Sequence, residues 1–353
     1  MCLGLPSPRH TGVTDVRAKR VGDRLIVRLR DRARVRVKYK LDVEIGGRHY
    51  DVGTLQTEPV LTYLQGILSC IGVSTSVGCL SAGAVKVVGI YLFTSGGQVV
   101  SQYPSTSGVG SISNLSGSVS LGSFSLSFSA TLLNSSLSGS YTVNTLQIRF
   151  GLGSTSFILS ISNINVSAQN NQVMNVTLSG SVSVTPSGVS GGLYYYAFTE
   201  FWLEALNSLG VSTGYQNLPW SSSGNIALGW YVGVYDPNGN VIGVYNSYTS
   251  SSTNITGFSA SLTCSGLSCS LSITFTLTPT TSDFIQAVSV MVILNTTPNT
   301  TVSNPVMYSN LTGTYVLYMY INLPSVTGST YQVSSGSAYQ IGITDSISIS
   351  TST

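Results

Sequence analysis

After about residue 75, apolar side chains recur at every second position, and the positions between them are mostly Ser or Thr. Asn175-Val-Thr-Leu-Ser-Gly-Ser-Val-Ser-Val184 is a clear example. A period of two sends alternate side chains to opposite faces of an extended chain, so each such run predicts a strand with one buried and one hydroxyl-covered face. Asp236-Pro-Asn-Gly239 and Thr94-Ser-Gly-Gly97 interrupt the runs with residues that fit tight hairpin turns. High Ser, Thr and Gly can signal disorder, but 42% hydrophobic residues in strict alternation supply a core. Many short strands with such turns predict an all-β chain built as β-sandwiches, jelly-roll-like in plan.

The pattern occurs twice. Gly72-Val-Ser-Thr75 is identical to Gly210-Val-Ser-Thr213, and Val87-Val-Gly-Ile-Tyr91 matches Tyr231-Val-Gly-Val-Tyr235. Ser125–Ser129 matches Ser272–Thr276, and Leu146–Phe150 matches Val288–Val292, always about 140 residues apart. Each copy opens on one segment of helical spacing. In the first, Thr57 is the N-cap, with Val60, Leu61, Leu64, Ile67 and Leu68 on one face. In the second, Phe198, Phe201, Trp202, Ala205, Leu206 and Leu209 recur in the same way, and Gly210 sits where a C-cap glycine belongs. Two tandem duplicated domains follow as the expectation, 46–184 and 185–353, each with one short helix, preceded by a charged arm over 1–45.

Charge is concentrated in and just after that arm. Of 27 charged residues, 20 lie in the first 58 positions, 13 basic and 7 acidic. The remaining 295 residues carry seven, where a soluble enzyme spreads about a quarter of its residues as charge. Arg28, Arg30, Arg32, Arg34, Arg36, Lys38 and Lys40 would line one side of an extended strand, with Val35, Val37, Tyr39, Leu41, Val43 and Ile45 on the other. The basic side is suited to phosphates of nucleic acid or to an acidic surface. The apolar side is suited either to completing the first domain or to adding to the sheet edge of a neighbouring subunit.

No apolar stretch reaches the roughly 18 residues of a membrane helix, and Met1–Pro8 does not read as a secretory signal. Cys264 and Cys269 flank Ser-Gly-Leu-Ser, the spacing of a disulfide across a short hairpin, and Cys70 and Cys79 flank a similar loop. A metal is the competing use of these thiols, but both His residues, His10 and His49, are N-terminal. No nucleophile–His arrangement is available within the β-modules, and Glu200 and Glu204 on one helix face are a weak acid–base pair. No cofactor is expected. Sequons in turn-rich stretches, at Asn114, Asn254, Asn295, Asn299 and Asn310, are candidate glycan sites. Tyr194, Tyr195, Tyr196, Trp202, Trp220 and Trp230 could stack on sugars, or fill the core.

The order of helix, Val-x-x-Ile/Val-Tyr strand, hairpin, Ser-x-Ser/Thr-Phe strand and closing strand resembles β-sandwich structural proteins of viruses and extracellular filaments from hyperthermophilic archaea. The resemblance implies a self-assembling, non-enzymatic subunit of an extracellular particle, glycosylated and locked by exchanged strands, in contact with copies of itself and other structural proteins. The virion reading (capsid, tail or fibre) comes first because no secretion signal is read. A cell-surface filament or pilus subunit is the alternative, and a carbohydrate-binding adhesin a further one.

Overall fold

A computed structural model describes residues 16–55, 85–120, 122–152, 155–185, 191–213, 227–247, 250–265, 268–294, 307–310, 313–324 and 331–351. The expected first helix and Cys70 and Cys79 lie outside these residues. The fold is all-β and sandwich-like, with one described helix.

The N-terminal segment forms β1 (Val16–Val21), β2 (Arg24–Ile45) and β3 (Arg48–Leu55). A first group follows: β4 (Val85–Thr94), β5 (Val99–Tyr103), β6 (Gly110–Ser120), β7 (Ser123–Thr131), β8 (Ser140–Leu152), β9 (Thr155–Ile161), β10 (Val166–Gln169) and β11 (Val173–Thr185). Helix α1 (Gly191–Ser208) leads to the second group. That group begins with β12 (Ala227–Tyr235), β13 (Val241–Asn246), β14 (Ser251–Thr253), β15 (Ile255–Ser265) and β16 (Ser268–Leu277). It ends with β17 (Asp283–Phe284), β18 (Ala287–Leu294), β19 (Met307–Asn310), β20 (Gly313–Asn322), β21 (Gln332–Val333) and β22 (Tyr339–Thr351).

One pairing scheme serves both groups. Strand β4 pairs with β5 and β8, and β12 pairs with β13 and β18. The β6–β7 hairpin joins the closing strand β11 as the β15–β16 hairpin joins β22. Even the crossing between sheets recurs, as a parallel contact of β5 with β6 and a parallel bridge of Val244 with Asn254. The shared Gly-x-Tyr of β4 and β12 has a local cause. Tyr91 and Tyr235 fold back over Gly89 and Gly233, where any Cβ would collide with the ring.

Strand β2 joins the two groups. Its first half pairs with β1 and, in parallel, with β22; its second half pairs with β3 and, antiparallel, with β11. Arg34 and Val35 pair with both β11 and β22, so those strands must lie on opposite edges of β2. The sheet therefore runs β6-β7-β11-β2-β22-β16-β15. The strand runs 22 residues, long enough for its two halves to pair with different groups of strands. Its apolar residues Val35, Val37, Tyr39, Leu41, Val43 and Ile45, considered for an assembly contact, are all buried within this chain.

Helix α1 follows the expected periodicity but packs in the first group. Trp202 stacks on Phe124 of β7 with ring centroids 3.5 Å apart, and meets Phe150 of β8 and Tyr39 of β2 edge-on. Val85 N of β4 donates to Glu204 Oε2 at 2.9 Å, and Gly122 N donates to Thr199 Oγ1 at 2.7 Å. The helix thus fills the space between the sheets of the group that precedes it, across the 184/185 boundary drawn from the repeats. It ends as Gly210 predicts: Gly210 (φ 73°) donates to Asn207 O and Val211 N donates to Leu206 O, the paired bonds of a Schellman cap.

The Asp236-Pro-Asn-Gly239 turn closes the β12–β13 hairpin. Asp236 Oδ1 accepts from Asn238 N and Asn240 N, and Oδ2 accepts from Asn240 Nδ2 at 2.8 Å. Burial pushes its pKa up, but these bonds and one from Gly239 outweigh that and hold the carboxyl below its ordinary value. A depressed folded-state pKa contributes stability above the unfolded pKa, near 3.9, and that contribution is lost as pH falls through the folded value. Asp236→Asn would set one amide against the Asn240 amide. We expect it to cost about 1 kcal/mol at pH 7, read as a shift in the urea midpoint, and to remove this acid-dependent part of the stability profile.

Candidate functional site

The outstanding chemical feature is the outer face of the shared sheet. Alternation along β2 buries Leu25, Val27, Leu29, Val35, Val37, Tyr39 and Leu41, so Arg28, Arg30, Arg34, Arg36, Lys38 and Lys40 emerge on the solvent side. Arg32 holds the same strand parity. Strand β1 adds to this face, since Arg17 lies across from Arg28 and Lys19 across from Ile26. Successive cations on one strand face stand about 6.6–6.8 Å apart, and Arg28 to Lys40 spans about 40 Å.

Hydroxyls flank the cations, from β22 along the first half of the strand and from β11 along the second. Arg28 and Arg30 pair with Thr344 and Ser346 of β22, while Arg36, Lys38 and Lys40 pair with Ser183, Ser181 and Ser179 of β11. The next strand out, β7, carries Ser123, Ser125, Ser127 and Ser129 in register with β11. Acidic groups enter this face at its far end, where Asp42 pairs with Lys40 at 3.3 Å and Glu44 follows. A cavity of about 230 Å³ opens where Arg17, Arg28 and Arg30 meet Thr344 and Ser346. Three guanidinium groups and two hydroxyls offer donors for one oxyanion.

The other sequence candidates separate. Cys264 and Cys269 are direct cross-strand partners in the β15–β16 hairpin, as their spacing predicts. Asn114 is exposed but lies inside β6, not in a loop; it takes φ 52° at a bulge where the β6–β7 register shifts. Asn254 sits between β14 and β15, its amide donating to Ile242 O. Asn310 ends β19, and Asn295 and Asn299 lie outside the described residues. Glu200 and Glu204, the weak acid–base pair, are buried in the helix. Of the aromatic candidates, Trp202 and Trp230 are core residues and offer no surface to a sugar, and Trp220 lies outside the described residues.

Among the described residues, no group of three His, Cys, Asp or Glu side chains is gathered as metal ligands would be. No described helix is long and apolar enough to cross a membrane. Comparison with protein-family models, curated proteins and solved structures found no match to this chain.

Proposed function

We propose that this chain is a non-enzymatic structural subunit of an extracellular particle, a virion protein in the first instance, that assembles with copies of itself. The observation that carries the reading is β15. Among the described strands it pairs on one edge only, with β16, and its eleven residues contain no charge and no Pro. Proteins that remain monomeric usually blunt such an edge with charge, Pro or bulges. Here a bulge lies between Thr256 and Ser259, and Ser259–Ser265 continues as regular strand. An unpaired row of N–H and C=O groups favours a strand from a second copy. The recurring strand scheme supports two copies of one module.

Electron microscopy of the purified protein tests the reading. Ordered particles or filaments are expected, and Ser261→Lys with Thr263→Lys on the exposed face of β15 should abolish them while leaving the circular dichroism spectrum intact. A wild-type protein that stays monomeric at every concentration would overturn it.

Glycans and a disulfide suit an extracellular surface with so little charge. Non-reducing peptide mapping of native material should recover Cys264 linked to Cys269 and a glycan at Asn114. Two free thiols together with an unmodified Asn114 would contradict this part of the reading.

A further inference from the structure

We propose that the cationic face of β2 binds single-stranded nucleic acid through its phosphates, without sequence preference. The charges of β2 form one line along the strand, widened only at its start by Arg17 and Lys19 of β1, and an extended single strand presents one phosphate per nucleotide at a comparable repeat. One strand of a duplex carries a phosphate every ~3.4 Å of axis on a helical path that soon departs from a straight line. A membrane would favour charge spread in two dimensions with apolar anchors. Here the β11 and β22 rows beside the cations are largely uncharged hydroxyls, and the exposed large apolar residues are scattered, with Val21 at one end of this face and Val173 at the other. The described face carries no Phe, Tyr or Trp, and its one imidazole, His49, sits at the acidic far end, so affinity must come chiefly from phosphates. The cavity of Arg17, Arg28, Arg30, Thr344 and Ser346 is the strongest phosphate seat along the line. This inference stands apart from the assembly reading, because β15 and the outer face of β2 are altered by different substitutions.

The test is fluorescence anisotropy of labelled dT20 with the full-length chain between 50 and 200 mM NaCl. Arg28, Arg30, Arg34 and Lys38 alone predict a log–log salt slope of about −3, from roughly 0.7 per phosphate on single strands. Arg28→Gln/Arg30→Gln/Arg34→Gln should flatten the slope to about −1 and weaken binding at least tenfold at 100 mM NaCl. These side chains are exposed, so folding should persist, as circular dichroism would verify. Lys38→Gln, at the other end, should flatten the slope by just under one unit, and Lys86→Gln on β4 should change nothing. No binding at 50 mM NaCl, or a triple variant with the wild-type slope, overturns the proposal. So does displacement of dT20 by polyglutamate or heparin at lower charge concentration than unlabelled dT20, which would assign the face to acidic protein or sulfated glycan.

Discussion

Trp202→Ala is expected to cost about 3–5 kcal/mol, the range for emptying a large aromatic site, out of the 5–15 kcal/mol that hold typical domains together. Trp202 is fully buried and touches Phe124, Phe150, Phe201 and Tyr39, so one side chain ties the helix to β7, β8 and β2. Space for these rings is built into the sheet. A Cβ on Gly180 of β11 would collide with Phe124 and Tyr39. The surrounding strands are fixed by their ladders and can collapse only partly into the void, which puts the cost toward the upper end. Trp202→Phe is expected to lose much less, about 1–2 kcal/mol. The indole N–H has no hydrogen-bond partner among the described residues, so its removal leaves no acceptor stranded. Urea titration of the three proteins measures this directly. Equal midpoints would mean that the helix does not pack between the sheets.

Removing residues 1–45 should have the larger effect. Strand β2 buries Leu25, Val27, Leu29, Val35, Val37, Tyr39, Leu41, Val43 and Ile45. At about 1.5–3 kcal/mol for each buried side chain, their loss matches or exceeds the whole stability of an ordinary domain. It would also strip hydrogen-bond partners from β11 along Met174–Thr185 and from β22 along Gln340–Thr351. Both groups of strands are therefore expected to lose structure together, seen as loss of near-ultraviolet dichroism and of protease resistance. A truncated chain that kept either group folded would show that β2 is dispensable to it.

The strands were legible in the sequence because burial on one face of a sheet writes period two into the chain, and the turns because Asp236-Pro-Asn-Gly239 and Gly97 satisfy local geometry. The Schellman cap at Gly210 was legible for the same reason. What could not be read were partnerships between distant segments. Nothing local to Trp202 says that it enters the preceding group, and nothing local to Arg24–Val35 says that it pairs with residues more than 300 positions away. Glu204 reads as a polar helix position, but the Val85 N–H that it accepts from is contributed by a strand over 100 residues earlier. The basic face was legible because its alternation survives inside a longer strand; its flanking hydroxyl rows became visible only through the register with β11 and β22.

The central claim, that β2 is one strand joining both groups of strands of its own chain within a single sheet, is tested most directly by hydrogen exchange on the isolated monomer. Backbone amides in the paired stretches of Arg24–Ile45 should be among the slowest to exchange, at a rate independent of protein concentration, because strands of the same chain flank both edges. Fast exchange across Val35–Ile45 in the monomer, with protection appearing only on self-association, would contradict it and return the strand to a neighbouring subunit.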